Sequence, residues 1–286
     1  MGKKASKLRI HYDEPMMSLY VLSACQLSCH ECIMSHLMAK DAYYQMSIQE
    51  IKDMLHYTEA SGYKFHYRLT GGEPLMWKNL KEGLKLLHAS PSCLSLSIIS
   101  NAVDVTPIDD ELMAMITVMR VSKYLYNQDK VEYLLEKYPD KVFTTDKEVF
   151  SKNPKEPVAN YLPVQCMNAE VMFYNNRVYA CPHSESIAIG ANVTDVKLYH
   201  ELGMNYLDGL RDLRHGQEEK ICSRCISNKT VRNEVERVLN VSGKGAKSDR
   251  LIKHQKLWNI KYAREMAHNA RVQIKQLISG MSGGAK

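Results

Sequence analysis

The order of apolar segments predicts an α/β fold: a partial, TIM-like (β/α)6 barrel, then a small hairpin-plus-helix unit, then an amphipathic C-terminal helix. Three observations carry this. Strand-like runs at 15–22, 65–70, 94–100, 118–124 and 142–145 alternate with helix-like segments, the pattern of parallel strands joined by crossover helices. The motifs able to do chemistry fall just after strands, at the sheet edge where barrel enzymes place their sites. Prolines and polar residues then crowd 151–163, with Asn153-Pro154, Glu156-Pro157 and Pro163, which marks a boundary. The expected division is an extension at 1–14, the barrel at 15–150, a linker at 151–163, a cysteine-bearing unit at 164–228 and a basic helical region at 229–286.

In order, the weak alternation of 15–22 gives the first strand, which delivers a loop reading Cys25-Gln26-Leu27-Ser28-Cys29-His30-Glu31-Cys32. Ser47-Ile48-Gln49-Glu50 is a capping box that opens a helix through Ile51, Met54, Leu55 and Tyr57, ending near Gly62. Phe65 to Thr70 is a short strand that runs into Gly71-Gly72-Glu73-Pro74. Asn79 to Leu87 is helical, Leu94 to Ser100 an apolar strand ending at Ser100-Asn101, and Asp109-Asp110 opens a further helix. Val118 to Tyr124, Lys130 to Tyr138 and Val142 to Thr145 complete the series as strand, helix and strand.

Three thiols within eight residues can converge on one metal cluster. A structural zinc site closes with four ligands, and no fourth cysteine or ligand-spaced histidine follows Cys32 in the usual pattern. Three thiolates on a 4Fe-4S cluster leave one iron open for chemistry. In Gly71-Gly72-Glu73-Pro74 the glycines permit backbone geometry that other residues resist and let a ligand lie against the chain. Glu73 adds an acceptor and Pro74 fixes the exit.

A second cysteine set follows the linker. Cys166 precedes Val171-Met172-Phe173-Tyr174, the turn Asn175-Asn176 and Val178-Tyr179-Ala180, which ends at Cys181-Pro182-His183. Two apolar runs around Asn-Asn form a hairpin, with one cysteine at each open end. A helical stretch through Leu207, Leu210 and Leu213 leads to Cys222-Ser223-Arg224-Cys225. Cys166, Cys181, Cys222 and Cys225 make a complete four-thiolate set, which on ligand count holds zinc or a 4Fe-4S cluster equally well. His183 is a ligand, a donor to one, or simply packed nearby. Cys93 reads as structural.

Composition bounds the remainder. The chain has 286 residues, 45% hydrophobic and 24% charged, with a formal charge of +6. This is an ordinary globular composition with no apolar run long enough for a membrane helix. The basic start Met1-Gly2-Lys3-Lys4-Ala5-Ser6 lacks an apolar core for a secretory signal and matches a myristoylation pattern only loosely. Eight cysteines grouped as a triplet, a pair and spaced singles are ligand-like, which implies a reducing cytoplasm. From Lys244 the chain is basic, and Ile260, Ala263, Ala267, Ala270, Ile274 and Leu277 form one helical stripe. That helix packs on the body, on a second copy or on a partner protein. Alternatively, with Trp258 and Tyr262, it clamps a polyanion.

The Cys25, Cys29, Cys32 spacing followed by Gly71-Gly72-Glu73-Pro74 resembles the radical S-adenosylmethionine (AdoMet) enzymes. The resemblance covers roughly residues 15–228, and departs where Glu31 stands at a position that is usually aromatic. It implies a 4Fe-4S cluster on Cys25, Cys29 and Cys32, with AdoMet on the open iron. An electron from the cluster then yields a 5'-deoxyadenosyl radical that takes a hydrogen atom from substrate. It implies AdoMet contacts at Gly71, Gly72 and Glu73, at Ser100 and Asn101 near the ribose, and at Ser122 and Tyr124. The second set resembles the twitch domain, a shortened SPASM relative, in an architecture of the 2-deoxy-scyllo-inosamine dehydrogenase type. This implies an auxiliary 4Fe-4S cluster on Cys166, Cys181, Cys222 and Cys225 that accepts or relays an electron. An external donor such as flavodoxin or ferredoxin is expected. The basic tail favours an anionic substrate, a nucleotide or nucleic-acid base, over a peptide or a sugar or cyclitol. The reading from another class is a zinc-stabilised nucleic-acid-binding protein, in which His30 or His36 completes the triplet.

Overall fold

Alternate residues of the early strands are apolar and face one way. Met17, Leu19 and Val21, then Tyr67 and Leu69, Leu96 and Ile98, and Met119 and Val121 are all buried in one core. In the computed structural model these belong to β1 (Met16–Leu22), β2 (Phe65–Gly71), β3 (Cys93–Ser100) and β4 (Val118–Lys123), followed by β5 (Val142–Asp146). The structure describes residues 15–27, 29, 32, 34–41, 43–124, 127–146, 170–210, 213, 217 and 220–225. Cys166, the 1–14 extension, the 151–163 linker and the 229–286 tail lie outside the described residues.

The apolar face is covered by α2 (Ile48–Ala60), α3 (Leu80–Ala89), α4 (Asp110–Met115) and α5 (Gln128–Lys137). Their starts are chemically marked. Ser47 and Glu50 form the expected reciprocal capping box on α2, and the Asp109 side chain accepts from Leu112 N on α4. α2 stops at Ala60, and Gly62 takes a left-handed φ of +73°, which costs glycine nothing. Leu84 and Leu87 of α3 are fully buried, each contributing ~1.5–3 kcal/mol by leaving water.

β1 to β5 are parallel neighbours in chain order, so the alternation predicts the connectivity correctly. The partial-barrel expectation is met in part, as a parallel-rich α/β sheet. Among the described residues the sheet has eight strands in the order β5-β4-β3-β2-β1-β6-β7-β8 and does not close. Its sixth parallel strand is β6 (Glu170–Tyr174), which lies on the far side of β1. That strand is half of the Asn-Asn hairpin assigned by sequence to the small unit. The hairpin itself forms as expected: β6 pairs antiparallel with β7 (Arg177–Tyr179), and Asn175 and Asn176 both take positive φ, 51° and 56°, as a tight mirror-image turn requires. The physical reason for its place is that a hairpin strand has a second edge. β6 spends that edge on β1 and pins it with Glu170, which accepts from Ser18 Oγ at 3.2 Å and pairs with Arg68 at 2.5 Å. Beyond β7 lies β8 (Tyr199–Glu201), which the sequence reading missed.

Two short helices, α1 (Ser35–Lys40) and α6 (Ser184–Ala191), were also missed. Leu37 of α1 packs with Tyr20, Met172, Tyr174 and Tyr179 in a second core on the opposite face of the sheet. The expected helix through Leu207 to Leu213 is described in part. Leu210 and Leu213 are helical, Leu213 N donates to Gly209 O at 2.8 Å, and Tyr206 bonds Thr58 of α2 at 2.5 Å. Among the described residues, no helix is long and apolar enough to cross a membrane.

Gly83 yields a test. A Cβ there would run into the ring of Trp77, which is 2% exposed and donates from Nε1 to Met46 O at 2.9 Å. Alanine normally gains ~1 kcal/mol over glycine in mid-helix. Here overpacking against a fixed indole costs ~1–3 kcal/mol. Gly83→Ala is therefore expected to lower the urea midpoint, and an unchanged or raised midpoint would contradict this packing.

Candidate metal centre

β1 leaves the core at Leu22, and its exit is clamped from both sides. On one side Gly72 N donates to Leu22 O at 2.5 Å and Glu73 N to Ala24 O at 2.9 Å. On the other, Ser23 N donates to Tyr44 O at 3.0 Å and Met46 N to Val21 O at 2.9 Å. The glycines are required by this approach. A Cβ on Gly71 would meet the Leu22 carbonyl, and one on Gly72 the Ala24 carbonyl, while Gly71 takes φ +138°. Thus the chain's own backbone, the first residues of the cysteine loop, lies against the two glycines.

The three thiols of that loop stand close enough to influence one another's charge. Burial pushes the Cys25 thiol up to about 12, and the charges of Glu73, Cys29 and Cys32 push it the same way, while the Leu27 amide resists. Leu27 N and the Asn101 side-chain amide donate to Cys25 Sγ at 3.4 and 3.5 Å. Cys32 N donates to Cys29 O at 3.0 Å, folding the loop back, and Ser35 N donates to Cys32 O at 3.0 Å where α1 begins. Cys29 Sγ lies 3.9 Å from the Tyr124 hydroxyl. A thiol whose anion is as disfavoured as that of Cys25 stays protonated unless a cation stands beside it, and a coordinating metal deprotonates it outright. The chemistry of the donor set, three cysteines on one short loop with an amide donor on Cys25, suits a group that takes three thiolates.

Glu73 is 1% exposed, and both oxygens of its carboxylate are engaged. Oε1 accepts from Leu75 N at 3.1 Å and from Ser100 Oγ at 2.8 Å, and Oε2 accepts from Asn101 N at 2.7 Å. Burial raises its pKa, and these three donors oppose the rise. Glu73 therefore caps the 3-10 turn Pro74–Met76 and ties the end of β2 to the end of β3. Asn101 passes the connection on, because its Nδ2 reaches both Cys25 Sγ and Gln26 Oε1, the latter at 3.2 Å. Asn127, fully buried, closes the circuit. It donates to Asn101 O at 2.6 Å and Ser122 O at 2.9 Å, and accepts from Tyr124 N at 2.7 Å.

Ten sequence-chosen residues are thus gathered at the C-terminal ends of β1 to β4: Cys25, Cys29, Cys32, Gly71, Gly72, Glu73, Ser100, Asn101, Ser122 and Tyr124. Sequence reasoning missed Gln26 and Asn127. The only signal for Asn127 was an asparagine just before a helix.

The second set is described in part. Cys181 follows β7, and Cys222 and Cys225 flank a 3-10 turn in which Cys225 N donates to Cys222 O at 3.1 Å. His183 stands between them. Its backbone N–H donates to Cys181 Sγ at 3.5 Å, and its ring Nδ1 is 3.8 Å from Cys225 Sγ. Burial pushes the His183 ring down to about 4, so it is neutral. Cys93, at the start of β3, packs against the main core. Among the described residues, no three His, Cys, Asp or Glu are arranged to hold a single metal ion. The two sets are joined by helices: α1 starts after Cys32, α6 after Cys181, and the His36 ring of α1 fills the space that a Cβ on Gly190 of α6 would need. Lys40 pairs with Glu185 across the same contact at 2.6 Å.

The family model described as "4Fe-4S single cluster domain" matches residues 15–129, a span that contains the triplet and the Gly-Gly-Glu-Pro turn and ends before the second set. No curated protein sequence matches the chain. Among solved structures, the chain is similar to BtrN in complex with AdoMet and 2-DOIA, at 14% identity and TM-score 0.50, over 74% of this chain and 88% of that one. An open conformation of selenomethionine BtrN aligns at 17% identity and TM-score 0.46, over 74% and 92%. The chain therefore shares the fold of BtrN, and carries a 4Fe-4S single cluster domain match on the part of the sheet that builds the triplet site.

Proposed function

We propose that this chain is a radical AdoMet enzyme in which Cys25, Cys29 and Cys32 hold a 4Fe-4S cluster and the turn at Gly71, Gly72 and Glu73 places AdoMet beside it. The observation that carries this reading is the joining of the cysteine loop to Glu73 through Asn101, at the C-terminal ends of parallel strands. The family match over 15–129 and the shared fold with BtrN, a protein crystallised with AdoMet, support it. When bound, the cluster and AdoMet supply one electron and a 5'-deoxyadenosyl radical that takes a hydrogen atom from substrate.

The chain's own residues do the rest. Asn101 donates to Cys25 and steadies a thiolate in a buried place. The Tyr124 hydroxyl sits by Cys29, and Ser122, which bonds it, completes that wall. Ser100 and Glu73 hold the β3 exit near the ribose position. Cys166, Cys181, Cys222 and Cys225 hold an auxiliary 4Fe-4S cluster that accepts or relays an electron, with the neutral His183 beside Cys225. A filled auxiliary set favours net oxidation over rearrangement. The substrate is anionic, a nucleotide or nucleic-acid base, in keeping with the basic residues after 244. A flavodoxin or ferredoxin is the outside electron donor.

Anaerobic reconstitution with iron and sulfide, reduction in the presence of AdoMet and assay for 5'-deoxyadenosine test this. Wild type is expected to form it, Cys29→Ala none, and Cys222→Ala a reduced amount; a fully reconstituted wild type that forms none would sink the reading. The lock beneath the site has its own test in denaturant. Glu73→Ala leaves three buried donors unmet and is expected to cost about 3 kcal/mol or more. Glu73→Gln, which keeps an acceptor but turns an amide toward one donor, is expected to cost ~1–2 kcal/mol. Equal, small losses would mean that the carboxylate does not hold the strand ends.

A further inference from the structure

In the second cysteine set one residue touches two sulfurs. The run Cys181-Pro182-His183 leaves β7 and enters α6. Pro182 has no N–H, so the first amide that can turn back on the Cys181 sulfur belongs to His183, and it donates to Cys181 Sγ at 3.5 Å. The turn is then fixed from both ends. Ser184 donates from N and from Oγ to Cys181 O at 3.3 and 2.9 Å, and Ile187 N donates to His183 O at 3.0 Å as α6 begins. Although His183 stands at the head of α6, its side chain makes no capping bond there. The ring instead meets Cys225, 42 residues on, with Nδ1 at 3.8 Å from Sγ. Cys225 is 5% exposed and lies in an apolar cluster with Ile187, Ala188 and Ile221, surroundings in which a thiolate is costly unless a donor meets it.

We infer that His183 is the hydrogen-bond donor that tunes the auxiliary cluster: its ring Nδ1–H holds the Cys225 thiolate, its backbone N–H holds Cys181, and together they raise the cluster's reduction potential. This rests on the proposal that Cys166, Cys181, Cys222 and Cys225 hold a 4Fe-4S group. The described part of the set suits such a group, because Cys181 and Cys225 come from distant segments and meet at one residue, with Cys222 a single 3-10 turn from Cys225. A thiolate accepts and cannot donate, so a ring nitrogen bonded to it carries the proton. Reduction adds one electron and no atom to the cluster, and the added negative charge strengthens a hydrogen bond to its sulfur ligands. The bond therefore favours the reduced form. His183 is a positioning residue in this account: it touches neither AdoMet nor substrate, and with four thiolates in the set it is not needed as a ligand. A cluster so tuned takes an electron more readily, in keeping with net oxidation of the substrate.

The test uses the full chain, reconstituted anaerobically without AdoMet, and follows by potentiometric EPR titration the signal that Cys222→Ala abolishes. His183→Phe keeps a ring and removes the donor. It is expected to lower the ratio of reduced to oxidised cluster at a fixed potential about tenfold, which is ~59 mV for one electron. His183→Asn places an amide N–H where Nδ1 stands and is expected to restore most of that shift. In wild type carrying isotopically labelled histidine, ENDOR on the same signal should show a weakly coupled ring nitrogen and an exchangeable proton, and this spectrum decides the matter if His183→Phe does not load. An unshifted potential in His183→Phe, with the Cys222-dependent signal intact, overturns the inference alone. Equal shifts in the Phe and Asn variants also overturn it, as general repacking, and so does a wild-type spectrum without the histidine couplings or with the strong nitrogen coupling of a direct ligand. Absence of any Cys222-dependent iron-sulfur signal in wild type overturns the auxiliary-cluster proposal and this inference with it.

Discussion

The buried carboxylate of Glu73 is the constraint on which the site depends. A carboxylate taken almost wholly out of water is costly unless every lone pair it offers is met. Glu73 meets most of that demand with three donors: the Leu75 amide of its own turn, the Ser100 side chain and the Asn101 backbone. Those donors belong to different segments, so satisfying one charge fixes the ends of β2 and β3 relative to each other. Asn101, its backbone committed to Glu73, then has only its side chain to spend, and spends it on Cys25 and Gln26. The cysteine loop is thereby tied to the sheet through polar bonds, where a loop of such composition has little apolar surface to bury.

The two faces of the sheet divide the labour. The helix-covered face is almost wholly apolar and supplies the hydrophobic stabilisation. The opposite face carries Ser18, Arg68, Tyr20 and Ser97, which by register point away from that core. Near β1 and β6 it is closed by α1 and a cluster of tyrosines. Because α1 begins at the triplet and α6 at Cys181, the packing of His36 on Gly190 makes the two cysteine sets parts of one mechanical unit. Any displacement of one loop is carried to the other by a contact with no room for a methyl group.

Much of this was legible in the sequence, and the failures have identifiable causes. Strand and helix periods, the Ser47 capping box and the Asn175-Asn176 turn depend on neighbours in the chain, and they were placed within a residue or two of their observed bounds. The joining of β6 to β1 depends on Glu170 meeting Arg68 and Ser18, residues far away in sequence, and no local pattern signals it. Short α1 and α6 are stabilised by packing on tyrosines and on each other, and six to eight residues offer little periodicity to detect. Within the site, the motif residues were visible because chemistry demands their types and spacing. Asn127 was not, because its role is to bridge backbone groups brought together only by the fold. The glycines were chosen for the right property and a different neighbour: the close approach they permit is made by the backbone of Leu22 to Ala24.

That last difference bears on how a loop of three thiols can be built at all. Three partly buried thiols beside a buried carboxylate form a place where burial first, and then neighbouring negative charge, raises the cost of an anion, as the rise of Cys25 shows. Folding such a loop without a metal means keeping the thiols protonated, with weak donors and poor acceptors at the centre of the site. The backbone clamp at Gly72 and Glu73 and the Asn101 amide are bonds within the protein itself, so much of the cost of ordering the loop is met by the sheet. Under the proposed reading, a cluster enters a loop that needs little rearrangement and relieves the charge that the loop concentrates. The same preorganisation explains why the polar bonds beneath the loop are short and buried while the thiols themselves stay partly exposed: the protein holds the ligands from below and leaves their upper side to the chemistry.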